Sequence, residues 1–183
     1  MRGDRPDGLA GPGPFQYANE LVAYIRKEFG THFHIEVACY PETHPESTTP
    51  QSEMFYFKQK VDAGANGAVT QYFYNADSYF HLRDEYCRAG ITVPITPGIM
   101  PITNYHQLAR FSDICGAEIP RWIRRRLEAF QGDGASIRAF GLDVVTSLCE
   151  RLLQGGAPGL HIYTLNRANA SFLLWQRLNP TVS

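Results

Sequence analysis

Residues 60–74 read KVDAGANGAVTQYFY, and the fold turns on how this stretch divides. Its first part finishes a helix that starts at Thr49-Pro50, runs through Val61 and closes near Gly64. Threonine suits an N-cap, and proline suits the first helical turn, where its missing N–H costs nothing. Its second part, GAVTQYFY at 67–74, is rich in β-branched and aromatic residues, as strands buried on both faces are. A helix feeding into a buried strand is the joint of an α/β chain. Gln71 interrupts the apolar run near the carboxyl end of the strand. A buried amide needs hydrogen-bond partners, supplied either by the protein or by a polar ligand.

The same joint recurs on both sides. HFHIEVACY (32–40), ITVPITPGI (91–99) and GLHIYTL (159–165) also read as strands. Asn75 caps a predicted helix over 76–89, with Gly90 at its end. From 136, Ile137, Phe140, Val144, Leu148 and Leu152 share one helical face, and Gly155-Gly156 stops the helix. Shorter helices are predicted at 14–29, 104–114, 119–130 and 168–178. Such alternation predicts a parallel sheet with right-handed crossovers. The four predicted strands with their helices match about half of a (β/α)8 barrel, or a small open doubly wound sheet. One domain over 1–183 is expected.

Composition narrows the function classes. The chain has 183 residues, 44% hydrophobic and 19% charged, which suits a soluble globular domain with a real core. A formal charge of −1 leaves no basic field for nucleic acid or an anionic membrane. No apolar run reaches the roughly 20 residues of a membrane span, and the N-terminus lacks a signal-peptide core. Cys39, Cys87, Cys115 and Cys149 are scattered with no CxxC pair. That usage predicts reduced thiols in a cytoplasmic protein, with neither a disulfide framework nor a zinc site.

In parallel α/β folds, ligands bind beyond the carboxyl ends of the strands. That rule selects YPETHPES (40–47), QYFYN (71–75), PGIMPITN (97–104) and YTLNR (163–167). In the first, two prolines stiffen the loop carrying Tyr40 and His44, which is either a rigid turn with a solvated histidine or a ligand contact. Lys60 either reaches a phosphate or is a solvated charge. Arg167 either grips a carboxylate or pairs with a neighbouring acid. There is no GxGxxG, no Walker A sequence and no nucleophile elbow.

Taken together and in order, RGD (2–4), YPETHPES, KVDAGANGAVTQYFY, PGIMPITNY and YTLNR resemble the catalytic barrel of bacterial-type methylenetetrahydrofolate reductases. The resemblance covers essentially the whole chain and implies a (β/α)8 flavoprotein. Such an enzyme reduces bound FAD with NADH or NADPH and passes a hydride to 5,10-methylenetetrahydrofolate, giving 5-methyltetrahydrofolate. By the same resemblance, Asp4 lies beside the flavin and the folate pterin, with Arg2 and Gly3 also on FAD. Tyr17 and Ala18 line the adenosine side. Tyr40, His44, Glu53 and Lys60 contact the cofactor, with Glu53 standing where aspartate is common. Gln71 meets nicotinamide and folate in alternating half-reactions, and Gln107 and Arg167 contact the substrate.

In the resembled family RGD follows the fourth barrel strand, so the chain is expected to cover the C-terminal half of a barrel. The portion before it would carry the general-acid glutamate, and no acid here takes that role by motif. A truncated chain of this kind is expected to be incomplete as an enzyme and to self-associate, as a homo-oligomer, through its exposed edges. Two other readings stay open: a different FAD-binding barrel oxidoreductase of the proline dehydrogenase kind, and a non-catalytic half-barrel that works by association.

Overall fold

A computed structural model describes residues 13–45, 47 and 49–179. Seven α-helices and five short strands are seen among them. Helix α1 (Ala18–Phe29) precedes β1 (Glu36–Cys39), followed by α2 (Pro50–Asp62), β2 (Gly67–Thr70) and α3 (Ala76–Arg88). Then come β3 (Ile95–Thr96), β4 (Gly98–Ile99), α4 (Tyr105–Cys115), α5 (Arg121–Ala129), α6 (Gly134–Gln154), β5 (His161–Ile162) and α7 (Ala168–Leu178). All strand pairs are parallel, β1-β2-β3 in one sheet and β4-β5 in the other. The α/β class and the parallel pairing expected from the sequence are therefore present.

The helix–strand joint at 60–70 folds for identifiable reasons. Thr49 caps α2 by accepting the Ser52 N–H, with proline at the first helical position. Gly64 takes a φ of 112°, a conformation that L side chains rarely adopt. Its carbonyl accepts two bonds from the Arg26 guanidinium, at 2.9 and 2.8 Å. Asn66 uses its side-chain oxygen to take the Ile35 N–H at 2.9 Å, which aligns β1 for pairing Glu36 with Gly67. The backbone of one short turn thus sets both the end of α2 and the register of the first strand pair.

Three expectations need correction. The third strand run does not form one strand: it breaks at Pro97 into β3, which pairs with β2, and β4, which pairs with β5. Proline has no N–H to give a ladder, so continuity is lost there. The ladders are also shorter than the apolar runs. In 67–74 pairing stops at Thr70, and Tyr72, Phe73 and Tyr74 are buried as packing residues instead. Tyr74 donates to the Met100 carbonyl at 3.0 Å, and Phe73 stacks on Tyr79. Lastly, α6 begins at Gly134 and buries Ile137, Gly141, Val145, Leu148 and Leu152, leaving Phe140 and Val144 half-buried. The core face is rotated because Gly141 lies against the Ile102 backbone, where any side chain would collide.

Candidate active site

The carboxyl ends of the strands converge on Thr70. Gly98 approaches so closely that a Cβ there would collide with the Thr70 carbonyl oxygen. Its N–H goes to the Thr70 side chain, Oγ1, at 2.8 Å, where a continuing ladder would have used a main-chain acceptor. The Thr70 carbonyl takes the Tyr163 hydroxyl proton at 3.0 Å. Three loops that are distant in sequence are fastened at one fully buried residue, and the sheet divides at the same point.

Gln71 follows immediately, just past the strand end rather than inside it. Its N–H donates to the Cys39 carbonyl at 2.8 Å, and its side-chain Oε1 accepts the Tyr72 N–H at 3.0 Å. The amide is half-buried and shares a small recess with Tyr40, Glu42, Tyr72 and Cys115. Tyr40 comes directly after β1, and its ring meets His44 edge-on at 4.6 Å. Between them Thr43 has a φ of 66°, an uncommon conformation for a β-branched residue. Glu42 anchors the loop by accepting the Glu118 N–H at 2.7 Å, and burial raises its carboxyl pKa.

Beneath this loop lies a charged layer carried by α2. Glu53, Phe57 and Lys60 lie four and three residues apart, so they face one side of the helix. Glu53 is only 7% exposed and accepts the Ser47 hydroxyl at 2.5 Å. Lys60 donates to the Ala38 carbonyl at 2.6 Å, with its ammonium 5.4 Å from the centre of the Phe57 ring. Burial lowers the Lys60 pKa, and the Glu53 charge opposes that shift. Burial pushes the Cys39 thiol up to about 12 and the Tyr40 phenol up to about 12, the latter with help from Glu53. Lys60 is therefore no solvated charge.

The other residues singled out are dispersed. Tyr17 is the exposed N-cap of α1 and Ala18 its first residue. Gln107 lies in the first turn of α4, its N–H bonded to the Asn104 side chain. Arg167 is the exposed N-cap of α7, after Leu165 and Asn166 at φ values of 48° and 59°. It borders a cavity of about 350 Å³ between the 101–104 loop, α6 and α7. Arg2, Gly3 and Asp4 lie outside the described residues. The four cysteines span a range, with Cys39 and Cys149 buried, Cys115 half-buried and Cys87 exposed.

A family model, Methylenetetrahydrofolate reductase, matches residues 1–179. The chain belongs to the methylenetetrahydrofolate reductase family. The 5,10-methylenetetrahydrofolate reductase of Escherichia coli (strain K12) is 37% identical over 97% of this chain and 59% of its own length. Methylenetetrahydrofolate reductase 2 of Saccharomyces cerevisiae is 38% identical over all of this chain and 32% of its own. A probable methylenetetrahydrofolate reductase (NADH) of Oryza sativa is 40% identical over 91% and 30%. This chain thus spans well under two thirds of the curated relatives it matches. A solved Clostridium thermocellum protein that binds two copies of 5-methyl-5,6,7,8-tetrahydrofolic acid superposes with a TM-score of 0.57 at 18% identity, over 86% of this chain and 57% of that one. That likeness speaks to the fold alone.

Membership in the reductase family favours neither the proline dehydrogenase-like alternative nor the non-catalytic one. No described helix is long and apolar enough to cross a membrane. Sequence reasoning missed Thr70 and Tyr163, which hold the reductase motifs together. Its signal was present in the motifs themselves: a glycine after Pro97, a threonine before Gln71 and a tyrosine opening YTLNR.

Proposed function

We propose that this chain carries the flavin- and folate-facing loops of a methylenetetrahydrofolate reductase, acting in one-carbon metabolism and methionine supply. Its four strand runs and helices form part of a (β/α)8 barrel, as a single domain of a cytoplasmic, self-associating protein. The reaction reduces 5,10-methylenetetrahydrofolate to 5-methyltetrahydrofolate with NADH or NADPH as donor. Bound FAD supplies the two-electron carrier between donor and folate.

One observation carries this reading. In a chain matching the family over 1–179, Tyr40, Gln71 and Tyr163 each follow directly on the carboxyl end of a parallel strand. That is where α/β folds place ligands.

The residues present fit a flavin in part. Tyr40 and His44 offer two rings on a stiff, strained loop, suited to fixing a planar heterocycle. Lys60 is a half-buried cation that senses the charge of the buried Glu53 carboxylate, and one of its protons is already held by the Ala38 carbonyl. It serves a phosphate by giving up that carbonyl, and an anion there relieves part of its desolvation. Glu53 sits beneath as counter-charge. Arg2, Gly3 and Asp4 complete the cofactor side, and Tyr17 and Ala18 its adenosine end.

Gln71 orients whichever partner enters. With Oε1 engaged by Tyr72, its amide nitrogen is the group that donates to a carbonyl of nicotinamide or pterin. Holding two partners in turn at one donor implies alternation between half-reactions, and the main contribution of the chain is positioning. Gln107 and Arg167 receive the more distant parts of the folate.

The test is a titration of the purified chain with FAD, followed by quenching of flavin fluorescence. Saturable binding is expected, weakened about tenfold or more in His44→Ala and in Lys60→Met. Absence of saturable FAD binding overturns the flavin reading for this chain.

A further inference from the structure

Tyr72, the residue after Gln71, is held at both ends. Its main-chain N–H donates to the Gln71 side-chain oxygen at 3.0 Å, and its hydroxyl shares a hydrogen bond of 3.1 Å with the Ser112 hydroxyl near the end of α4. Both side chains are buried, so water cannot stand in for either partner. Ser112 is itself a fixed point, because its carbonyl accepts the N–H groups of Gly116 and Ala117 where the helix closes. At its other end the contact bears on the amide of Gln71. A main-chain N–H only donates, so Tyr72 selects the oxygen of that amide and leaves the nitrogen for a ligand. Turned over, the amide would set donors against a donor and lose the bond.

We infer that Ser112 is a positioning residue for Gln71, acting through Tyr72. This role rests on the folate contact proposed for Gln71 and adds the residue that fixes which end of the amide meets the folate. Without the serine hydroxyl, the Tyr72 hydroxyl is buried and has lost its partner, and the ring gains by turning toward another acceptor or toward solvent. That turn moves residue 72, whose N–H sets the Gln71 amide. The nitrogen is then no longer held ready as a donor, and a ligand must restore the orientation as it binds.

The helix that carries Ser112 does not depend on this bond for its place. Glu42 accepts the Glu118 N–H just beyond α4, and Gly116 lies so close to Pro45 that a Cβ would press on the proline ring. Leu108 is also buried on the same helix. Ser112→Ala therefore removes one hydroxyl and leaves α4 docked. Tyr72→Phe should act less, since the freed serine hydroxyl can bond to the carbonyl four residues back in its own helix. Changing both residues leaves an apolar pair with no buried hydroxyl to satisfy.

The experiment is calorimetric titration of the full chain with 5-methyltetrahydrofolate, and separately with FAD, well below the melting temperature of each variant. Ser112→Ala is expected to weaken folate binding about tenfold while FAD affinity stays within about twofold. Adding Tyr72→Phe to Ser112→Ala should recover most of that loss. In a Gln71→Ala background, Ser112→Ala should change folate affinity by less than about twofold, because it acts through the missing amide. A merely structural role would move the melting temperature and leave these affinities alone. Unchanged folate affinity in Ser112→Ala, an equal fall for FAD, or the same loss with Gln71 already removed overturns this inference alone. So does a double variant no better than Ser112→Ala. Failure of the unmodified chain to bind the folate overturns the folate reading, and this inference with it.

Discussion

The hydroxyl of Tyr163 donates to the carbonyl of Thr70 at 3.0 Å, across 93 residues of sequence. Thr70 is fully buried, so removing the donor leaves a carbonyl oxygen with no water to replace it. Tyr163→Phe is expected to cost about 1–3 kcal/mol in urea denaturation. It also frees the residue before Gln71, so folate affinity should fall more than FAD affinity. Unchanged stability would show that Thr70 does not depend on this bond.

Gly98 is required by space. Its α-carbon faces the Thr70 carbonyl and the Tyr163 ring, and a methyl group at 98 has no room between them. Gly98→Ala should be destabilised by about 3 kcal/mol or more, because the obstructing atom is backbone. Gly159→Ala serves as the control, since nothing lies within 4 Å of a Cβ there. Thermal denaturation of the two variants compares them directly, and equal melting temperatures would refute the close approach.

Lys60 and Glu53 should be energetically coupled. Lys60→Met removes the bond to the Ala38 carbonyl and a cation whose charge Glu53 senses, so it is expected to lose about 1–3 kcal/mol. Glu53→Gln together with Lys60→Met should cost clearly less than the sum of the two single changes. Strict additivity in this double-mutant cycle would mean that the two charges do not sense each other.

Stability should fall in alkali. Burial raises the Cys39 and Cys149 thiols from about 9.0 to about 12, and the Tyr40 phenol from about 10.0 to about 12. In that window the native state keeps protons that the unfolded chain has lost. The stabilisation is full below the unfolded values and is lost as pH rises through the folded ones, at up to about 1.4 kcal/mol per pH unit for each group. Lys60, lowered by burial, acts with the opposite sign, one group against three. Urea midpoints at pH ~8 and ~11 test this, and equal midpoints would contradict it.

Much of this fold was legible because its signals are local. Thr49-Pro50, Asn75 and the 168–178 pattern marked helix boundaries that the structure reproduces within a residue. What could not be read depended on contacts between distant segments. The break at Pro97 follows from a missing N–H, but which neighbour each half pairs with is decided by Thr70 and Tyr163. Gln71 stands out in the sequence as an amide in an apolar run, yet its half-burial and its bond to Tyr72 are a matter of where the ladder stops. Spacing alone does not decide between the two readings of Lys60, since its 22-residue reach back to Ala38 leaves no trace there.

The central claim is a pair of half-reactions sharing Gln71. Under anaerobic conditions, the FAD-loaded chain is mixed first with NADH and then with 5,10-methylenetetrahydrofolate, while the flavin absorbance is followed and the folate product is identified by chromatography. Bleaching by NADH is predicted, followed by slow recovery on adding the folate and slow formation of 5-methyltetrahydrofolate, since no acid here takes the general-acid role by motif. Both steps should be slowed by about a further tenfold in Gln71→Ala. A bound flavin that neither bleaches nor recovers, or a Gln71→Ala protein with both rates intact, would contradict the account.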